Sequence, residues 1–466
     1  MKPSTPLKTS TALLAAAALA GCMQLAPRYE RPAAPVPATF PSATSVPSGA
    51  TAAADLAWQD YFADPALRGL IELALKNNRD LRIAVLNIDS VRAQYELRRA
   101  DQLPTVAAGL TANRQTSDSG NVVGSYTAGL SVAAYELDLF GRVRSLTDTA
   151  AAQLLSTEEA RKAVQISLVA SVANQYLALA ADDELLNLTE RTLSTREDSL
   201  RLTQLRFDNG AASELDLRQA QTQVEAARVA LAQVRRQREL DRNALALLVG
   251  QALPELPSEA GRIDAMTLAD VPAGVPSEVL LGRPDVRQAE QQLIAANANI
   301  GAARAAFWPR ITLTASAGTA STQLSSLFKD GAWAFAAQLL QPIFDAGRNR
   351  ANLAVAEAQR DIAVAQYERA IQAAFRDVAD ALAGRATLDD QSRSTRAQAD
   401  AEQARYNLSD LRYRNGVSSS LELLDAQRSL FAVQQAVVQT QLALLQNRVA
   451  VYRALGGGYA STASGR

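Results

Sequence analysis

The sequence predicts a mainly helical chain that carries two β-hairpins and consists of one unit written twice. Three observations predict this. First, Asn209-Gly210, Leu215, Leu217 and Ala220-Gln221 recur as Asn415-Gly416, Leu421, Leu423 and Ala426-Gln427, at a constant offset of 206 residues. Gly141-Arg142 and Gly250 reappear at the same offset as Gly347-Arg348 and Gly456. Upstream, Pro104 and Asp80 match Pro309 and Asp285, a slip of one. A period this long indicates duplicated half-molecules rather than a short-repeat solenoid. Second, residues 142–209 contain neither Gly nor Pro, and residues 348–415 contain only Gly384. Third, four short segments alternate apolar and small or polar residues with a period of two.

Composition narrows the possible functions. Lys and Arg total 47 against 48 Asp and Glu, so no basic footprint for nucleic acid exists. The chain has no His and one Cys, which removes the commonest general base, Cys/His metal sites and any intrachain disulfide. No nucleophile–base arrangement stands out, and neither catalysis nor a cofactor is expected.

The elements follow in order. Lys2 and Lys8 precede an apolar run from Thr11 to Leu19, too short to span a bilayer as a mature helix. Leu19-Ala20-Gly21-Cys22 follows and resembles a bacterial lipobox. It implies a signal peptide over 1–21 and a Cys22 that carries S-diacylglycerol and an N-acyl chain. Several acyl chains on one residue anchor far better than one. Position 23 is Met, not Asp, so the usual inner-membrane retention signal is missing. Residues 22–57 are Pro/Ala/Ser-rich and irregular in pattern. Asp64-Pro65 signals a helix start.

The first repeat is placed at 58–249. A helix over 81–100 ends at Pro104. Val106, Ala108, Leu110 and Ala112 then alternate with small polar neighbours, and so do Tyr126, Ala128, Leu130 and Val132. They form a hairpin at about 104–137. A long helix at about 142–209 would extend roughly 100 Å at the standard rise. Asn209-Gly210 turns the chain, and Ser213 with Asp216 has capping-box spacing ahead of a return helix to 249. An equatorial linker covers 250–283. The second repeat, 284–455, has a helix from Asp285, a hairpin at about 309–341, a long helix at about 348–415, and a return helix at about 419–455. Ile371, Phe375, Val378 and Leu382 give the long helix an apolar stripe. Ser419 and Glu422 repeat the capping-box spacing. Residues 456–466 form a tail.

Each strand is about long enough to cross a bilayer when tilted. Four strands cannot close a membrane barrel, because known barrels begin at eight. Open edges in lipid leave backbone groups unpaired. Two chains would supply eight strands and three would supply twelve.

Trp58-Gln59-Asp60-Tyr61-Phe62, Asp64-Pro65, residues 135–141 (Tyr-Glu-Leu-Asp-Leu-Phe-Gly), 281–285 (Leu-Gly-Arg-Pro-Asp), 341–347 (Gln-Pro-Ile-Phe-Asp-Ala-Gly) and 413–416 (Tyr-Arg-Asn-Gly) complete the picture. With the lipobox, they resemble the outer-membrane efflux factor family (TolC-like), in its lipoprotein, OprM-like branch. The resemblance implies a homotrimer with a twelve-stranded transmembrane β-barrel continued by a long α-helical periplasmic barrel. It implies export of toxic small molecules with a periplasmic adaptor and an inner-membrane pump, and a surround of outer-membrane lipid. It also places Leu421 and Asp425 at a periplasmic gate. Arg206, Asn209, Gly210, Arg412, Asn415 and Gly416, at the hairpin ends, become candidates for adaptor contact. The serines at 418–420 depart from the bulkier or charged groups of relatives. A non-pore structural lipoprotein with a helical rod would explain the lipobox and helices but not four alternating strands.

Overall fold

A computed structural model describes residues 24–41, 55–116, 118, 120–255, 263–270 and 277–459. Cys22 and its lipobox lie outside the described residues. Twelve named elements follow one another: α1 (Trp58–Tyr61), α2 (Pro65–Asn77), α3 (Arg79–Ala100), β1 (Val106–Thr116), β2 (Val122–Leu137), α4 (Arg142–Asp208), α5 (Glu214–Val249), α6 (Pro284–Ala305), β3 (Arg310–Ser321), β4 (Gly331–Leu340), α7 (Arg348–Arg414) and α8 (Ser420–Ala454). Short 3-10 turns lie between them. The chain divides into two compact units.

The first unit takes residues 1–34, 86–159 and 287–370. Its centre is one antiparallel sheet in the order β1-β2-β3-β4. Val106 pairs with Val132, Gly129 with Gly318, and Arg310 with Leu340. The β2–β3 register shifts between Val132 and Tyr135, where Ala134 adopts φ 53°. Such a bulge sharpens the local twist. Gly129 and Gly318 have a simple reason: a Cβ at Gly129 would lie 2.7 Å from the Gly318 Cα. Within the chain, β1 and β4 each keep an unpaired edge. Trp333 on β4 is 82 % exposed, and Phe335 and Leu339 are exposed beside it, an outward apolar surface that suits lipid.

The base of this sheet explains two sequence motifs. Arg142 donates from Nε and Nη2 to both Glu136 carboxylate oxygens at 2.7 Å, and Arg310 Nε adds a third bond at 2.6 Å. Phe140 stacks on Trp308 with centroids 5.1 Å apart. Asp345 accepts from the backbone N–H of Gly347 at 2.9 Å and of Asn349 at 2.8 Å, which starts α7. Gly347 supplies the φ of 87° that this entry needs.

The second unit takes residues 35–85, 160–286 and 371–466. Asp64 Oδ1 caps α2 through Ala66 N at 2.7 Å and Leu67 N at 3.1 Å, with Pro65 at the first helical position. Tyr61 stacks on Tyr452 at 3.9 Å, and their hydroxyls donate to the carbonyls of Arg448 and Leu56. Asn78 donates to the Leu248 carbonyl at 2.9 Å while its Oδ1 accepts from Leu81 N. Gly250 ends α5 at φ 79°, against the Asn77 carbonyl. A side chain there would be strained by conformation and blocked by backbone. Ile371, Val378 and Leu382 are buried, and Phe375 stacks on Phe40.

Candidate functional site: paired helical hairpins

The two Asn-Gly turns are copies in structure as well as sequence. Gly210 N donates to the Phe207 carbonyl at 2.9 Å and Ala211 N to the Arg206 carbonyl at 2.7 Å. Gly416 N donates to Tyr413 at 3.0 Å and Val417 N to Arg412 at 2.9 Å. Both glycines sit at φ 71°. These are Schellman closures, and only Gly takes the left-handed position freely. Asn209 and Asn415 each return a side-chain amide proton to a carbonyl one turn back, Leu205 and Leu411, at 2.7 Å. All four residues are therefore held by their own turns.

The helix starts after the turns differ. Ser213 forms a full capping box: its Oγ accepts from Asp216 N at 3.1 Å and Asp216 Oδ2 accepts from Ser213 N at 3.1 Å. The expected second box does not form. Ser419 is the N-cap of α8 without a side-chain bond. Glu422, which should reach back to it, turns instead to Arg412 at 3.6 Å. An opposite charge across the hairpin outcompetes a neutral amide. We expect Ser213→Ala to weaken its hairpin by about 1 kcal/mol and Ser419→Ala by far less. Hydrogen exchange at the first-turn amides of α5 and α8 checks this. About fivefold faster exchange is expected after Ser213→Ala only.

Side chains bind the two hairpins to each other. Ser420 Oγ donates to Asp216 Oδ1. The Ser213 and Ser420 hydroxyls hold the Asp216 carboxyl below the usual aspartate range. The Arg206 guanidinium lies 4.6 Å over the buried Tyr413 ring, a cation–π contact. Gln427 donates to Ser199 Oγ at 3.1 Å.

Leu421 and Asp425 are one turn apart on α8. Leu421 is 63 % exposed. Asp425 is clamped by two arginines: Arg405 Nη1 donates to Oδ2 at 3.1 Å and Arg428 Nη2 to Oδ1 at 2.6 Å. Arg405 above all holds the Asp425 carboxyl below the usual range. Sequence reasoning missed Arg405 and Arg428. A signal existed: at the repeat offset, Arg405 and Asp425 correspond to Ser199 and Gln219. The clamp belongs to the second copy alone.

A second acidic feature joins α4 to α5. Asp182 is buried beside Asp241. Burial, then a hydrogen bond to Asp241 and the charges of Asp241 and Asp183, raise Asp182 to about 7, and Arg238 only partly offsets them. Burial pushes Asp241 up too, but hydrogen bonds from Asp182, Gln237 and Gln175 hold it lower. The two carboxyls therefore titrate as a coupled pair. The raised value means the folded state binds the proton more tightly than the unfolded chain. This contribution is fully present below about pH 4, the ordinary aspartate value, and is lost as pH rises through about 7. Asp182→Asn is expected to raise the unfolding midpoint at pH 8 and leave it unchanged near pH 4, read by circular dichroism.

Strands of membrane-spanning length, joined in one chain to long helical hairpins, define the subunit of an outer-membrane channel. The outer membrane efflux protein family model matches residues 70–251 and 275–457, and the chain belongs to that family. The two matches follow the internal repeat. The chain is 48 % identical over 454 residues to the probable efflux pump outer membrane protein TtgC of Pseudomonas putida, covering 95 % of this chain and 93 % of that protein. It is 46 % identical over 467 residues to outer membrane protein OprJ of Pseudomonas aeruginosa, covering 96 % and 95 %. Among solved structures, the open state of the Neisseria gonorrhoeae MtrE outer membrane channel matches with TM-score 0.87 and 44 % identity over 94 % of this chain and 98 % of that one. A CusC structure matches at 0.85 and 38 %, covering 93 % and 99 %. The protein is an outer-membrane channel of an efflux pump, and its family comprises transporters rather than enzymes.

Proposed function

We propose that three copies form the conducting unit: twelve strands in the outer membrane and a tunnel of periplasmic helices. The observation that carries this is the sheet itself. Four strands with an apolar outer surface and two unpaired edges, β1 and β4, satisfy their backbone in lipid only by pairing with other copies. Cys22, once acylated, anchors each chain. A periplasmic adaptor docks on the hairpin ends around Arg206, Asn209, Gly210, Arg412, Asn415 and Gly416, and an inner-membrane pump supplies the cargo. Arg206 and Arg412 act there through backbone placement as well as charge, since their side chains engage Tyr413 and Glu422. Leu421 and Asp425 ring the closed end, with Arg405 and Arg428 holding the carboxylates.

Relatives are named for toluene, solvent and antibiotic efflux. The cargo proposed for this chain is therefore apolar or amphipathic: small aromatic solvents and antibiotics. Deleting the protein from a strain that lacks redundant channels should lower the tolerated concentration of several such compounds at least fourfold. Unchanged tolerance across a broad panel would overturn the reading. Native mass spectrometry of the lipidated protein should give a trimer and a mass shift that maps to Cys22.

A further inference from the structure

The strand register of the first unit sorts its sheet residues onto two faces. Directly paired residues share a face, and neighbours along a strand alternate. Ala108, Leu130, Ala317 and Trp333 form one row across all four strands, on the apolar outer face. The next row, Gly109, Gly129, Gly318 and Ala332, belongs to the opposite, inner face. Thr127, Ser131, Thr312, Thr314, Ser316 and Gln338 share that inner face, which is small, polar and almost free of charge. Among the described strand residues on it, Glu136 and Arg310 alone are charged. Glu136 pairs with Thr312, and Arg310 is one residue before the outward Ile311. Both stand at the end of the sheet where α4 and α7 begin.

The charge at this level is not balanced. Arg142, at the start of α4, already reaches both Glu136 oxygens at 2.7 Å. Arg310 Nε adds a second guanidinium to the same carboxylate. A bond that only tied the sheet to α4 would need Arg142 and not Arg310. The Arg310 side chain is 56 % exposed, against 11 % for Glu136. Its two Nη groups have no partner among the described residues. Both guanidiniums border an open recess of about 250 Å³. The adjoining helix starts do not cancel the excess, since Asp138 and Asp345 are matched there by Arg144, Arg348 and Arg350.

We propose that Arg310 determines charge selectivity in the channel: three copies form a cationic collar at the periplasmic mouth of the barrel lumen and favour anions, including carboxylate-bearing cargo. Rings of charged side chains select permeant ions in this way. Arg142 and Glu136 are positioning residues, which hold the Arg310 stem and leave its Nη edge free. The collar rests on the trimeric reading given above.

The test uses the full-length lipidated protein and reversal potentials in planar bilayers under a KCl gradient. Arg310→Glu changes the collar by two charges in each of three copies. Near 10 mM salt, where charges act over about 30 Å, it should lower the chloride-to-potassium permeability ratio at least twofold. Arg310→Gln should lower it by less. Near 1 M, where the range is about 3 Å, the variants should converge with the wild type. A second arm needs no conductance. In nanodiscs, Arg310→Cys should react with a charged, membrane-impermeant thiol reagent, and Leu313→Cys, on the outer face, should not. A ratio that Arg310→Glu leaves unchanged, or an Arg310→Cys thiol no more reactive than that of Leu313→Cys, in protein that native mass spectrometry shows to be trimeric, overturns the collar and leaves the channel standing. Absence of a trimer overturns the channel reading and the collar with it.

Discussion

Replacing Arg283 by alanine is expected to destabilise the protein by about 3 kcal/mol. Arg283 stands just before α6 and is almost fully buried. Its Nη1 donates to the Ala454 carbonyl at the end of α8 at 2.7 Å, and to Ala374 of α7 at 3.5 Å. Nε and Nη2 grip Asp285 at 3.0 and 2.7 Å, with Asp377 3.6 Å away. Asp285 is partly hydrated, so its ion pair contributes modestly. The main term is the Ala454 carbonyl, a helix-terminal acceptor that alanine would leave buried and unpaired. Arg283→Lys should recover only part of the loss, because one ammonium cannot bridge a carboxylate and two carbonyls. Arg376→Ala removes a fully exposed arginine paired to the same Asp377 and should leave the unfolding midpoint unchanged. Thermal unfolding by circular dichroism compares all three. A midpoint for Arg283→Ala equal to that of Arg376→Ala would refute the account.

Arg283 also shows what the sequence could and could not disclose. The motif at 281–285 was recognisable as a pattern, but its physical purpose required α7 and α8 to converge on one side chain. Helices α4 and α7 were legible because stretches of nearly seventy residues without Pro, interrupted by a single Gly in α7, can hardly be anything else, and Schellman turns close on Asn-Gly for local reasons. The strands were legible because period-two alternation survives in any sheet that faces lipid. Glu422 failed as a capping residue because its competitor, Arg412, lies on the preceding helix and outside any local spacing rule. Arg405 could have been found by aligning the two copies, since duplication makes every non-equivalent pair conspicuous.

Replacing both Leu421 and Asp425 by alanine is expected to raise single-channel conductance in planar bilayers several-fold. The double variant removes an apolar ring and an anionic ring from the proposed constriction. In the present geometry the Asp425 carboxylate holds Arg405 and Arg428, so each chain keeps its own charge clamp. An exposed pair of this kind contributes under about 1 kcal/mol. If these residues form the constriction, three such clamps add only a modest electrostatic barrier. Two further outcomes separate this from simple widening of the bore. Salt screens exposed charges over about 8 Å at physiological strength. Added salt should accordingly raise wild-type conductance beyond the rise in bulk conductivity, and do so much less in the double variant. Because Arg405 depresses the Asp425 pKa, the clamp persists above the ordinary aspartate value and is lost only as pH falls through the lowered one. Wild-type conductance should then stay level from pH 7 to pH 5 and climb only under stronger acid. Arg405→Ala should shift that climb upward in pH, towards the ordinary aspartate range. An unaltered acid response in Arg405→Ala would remove the clamp from the gate, whatever the double variant shows.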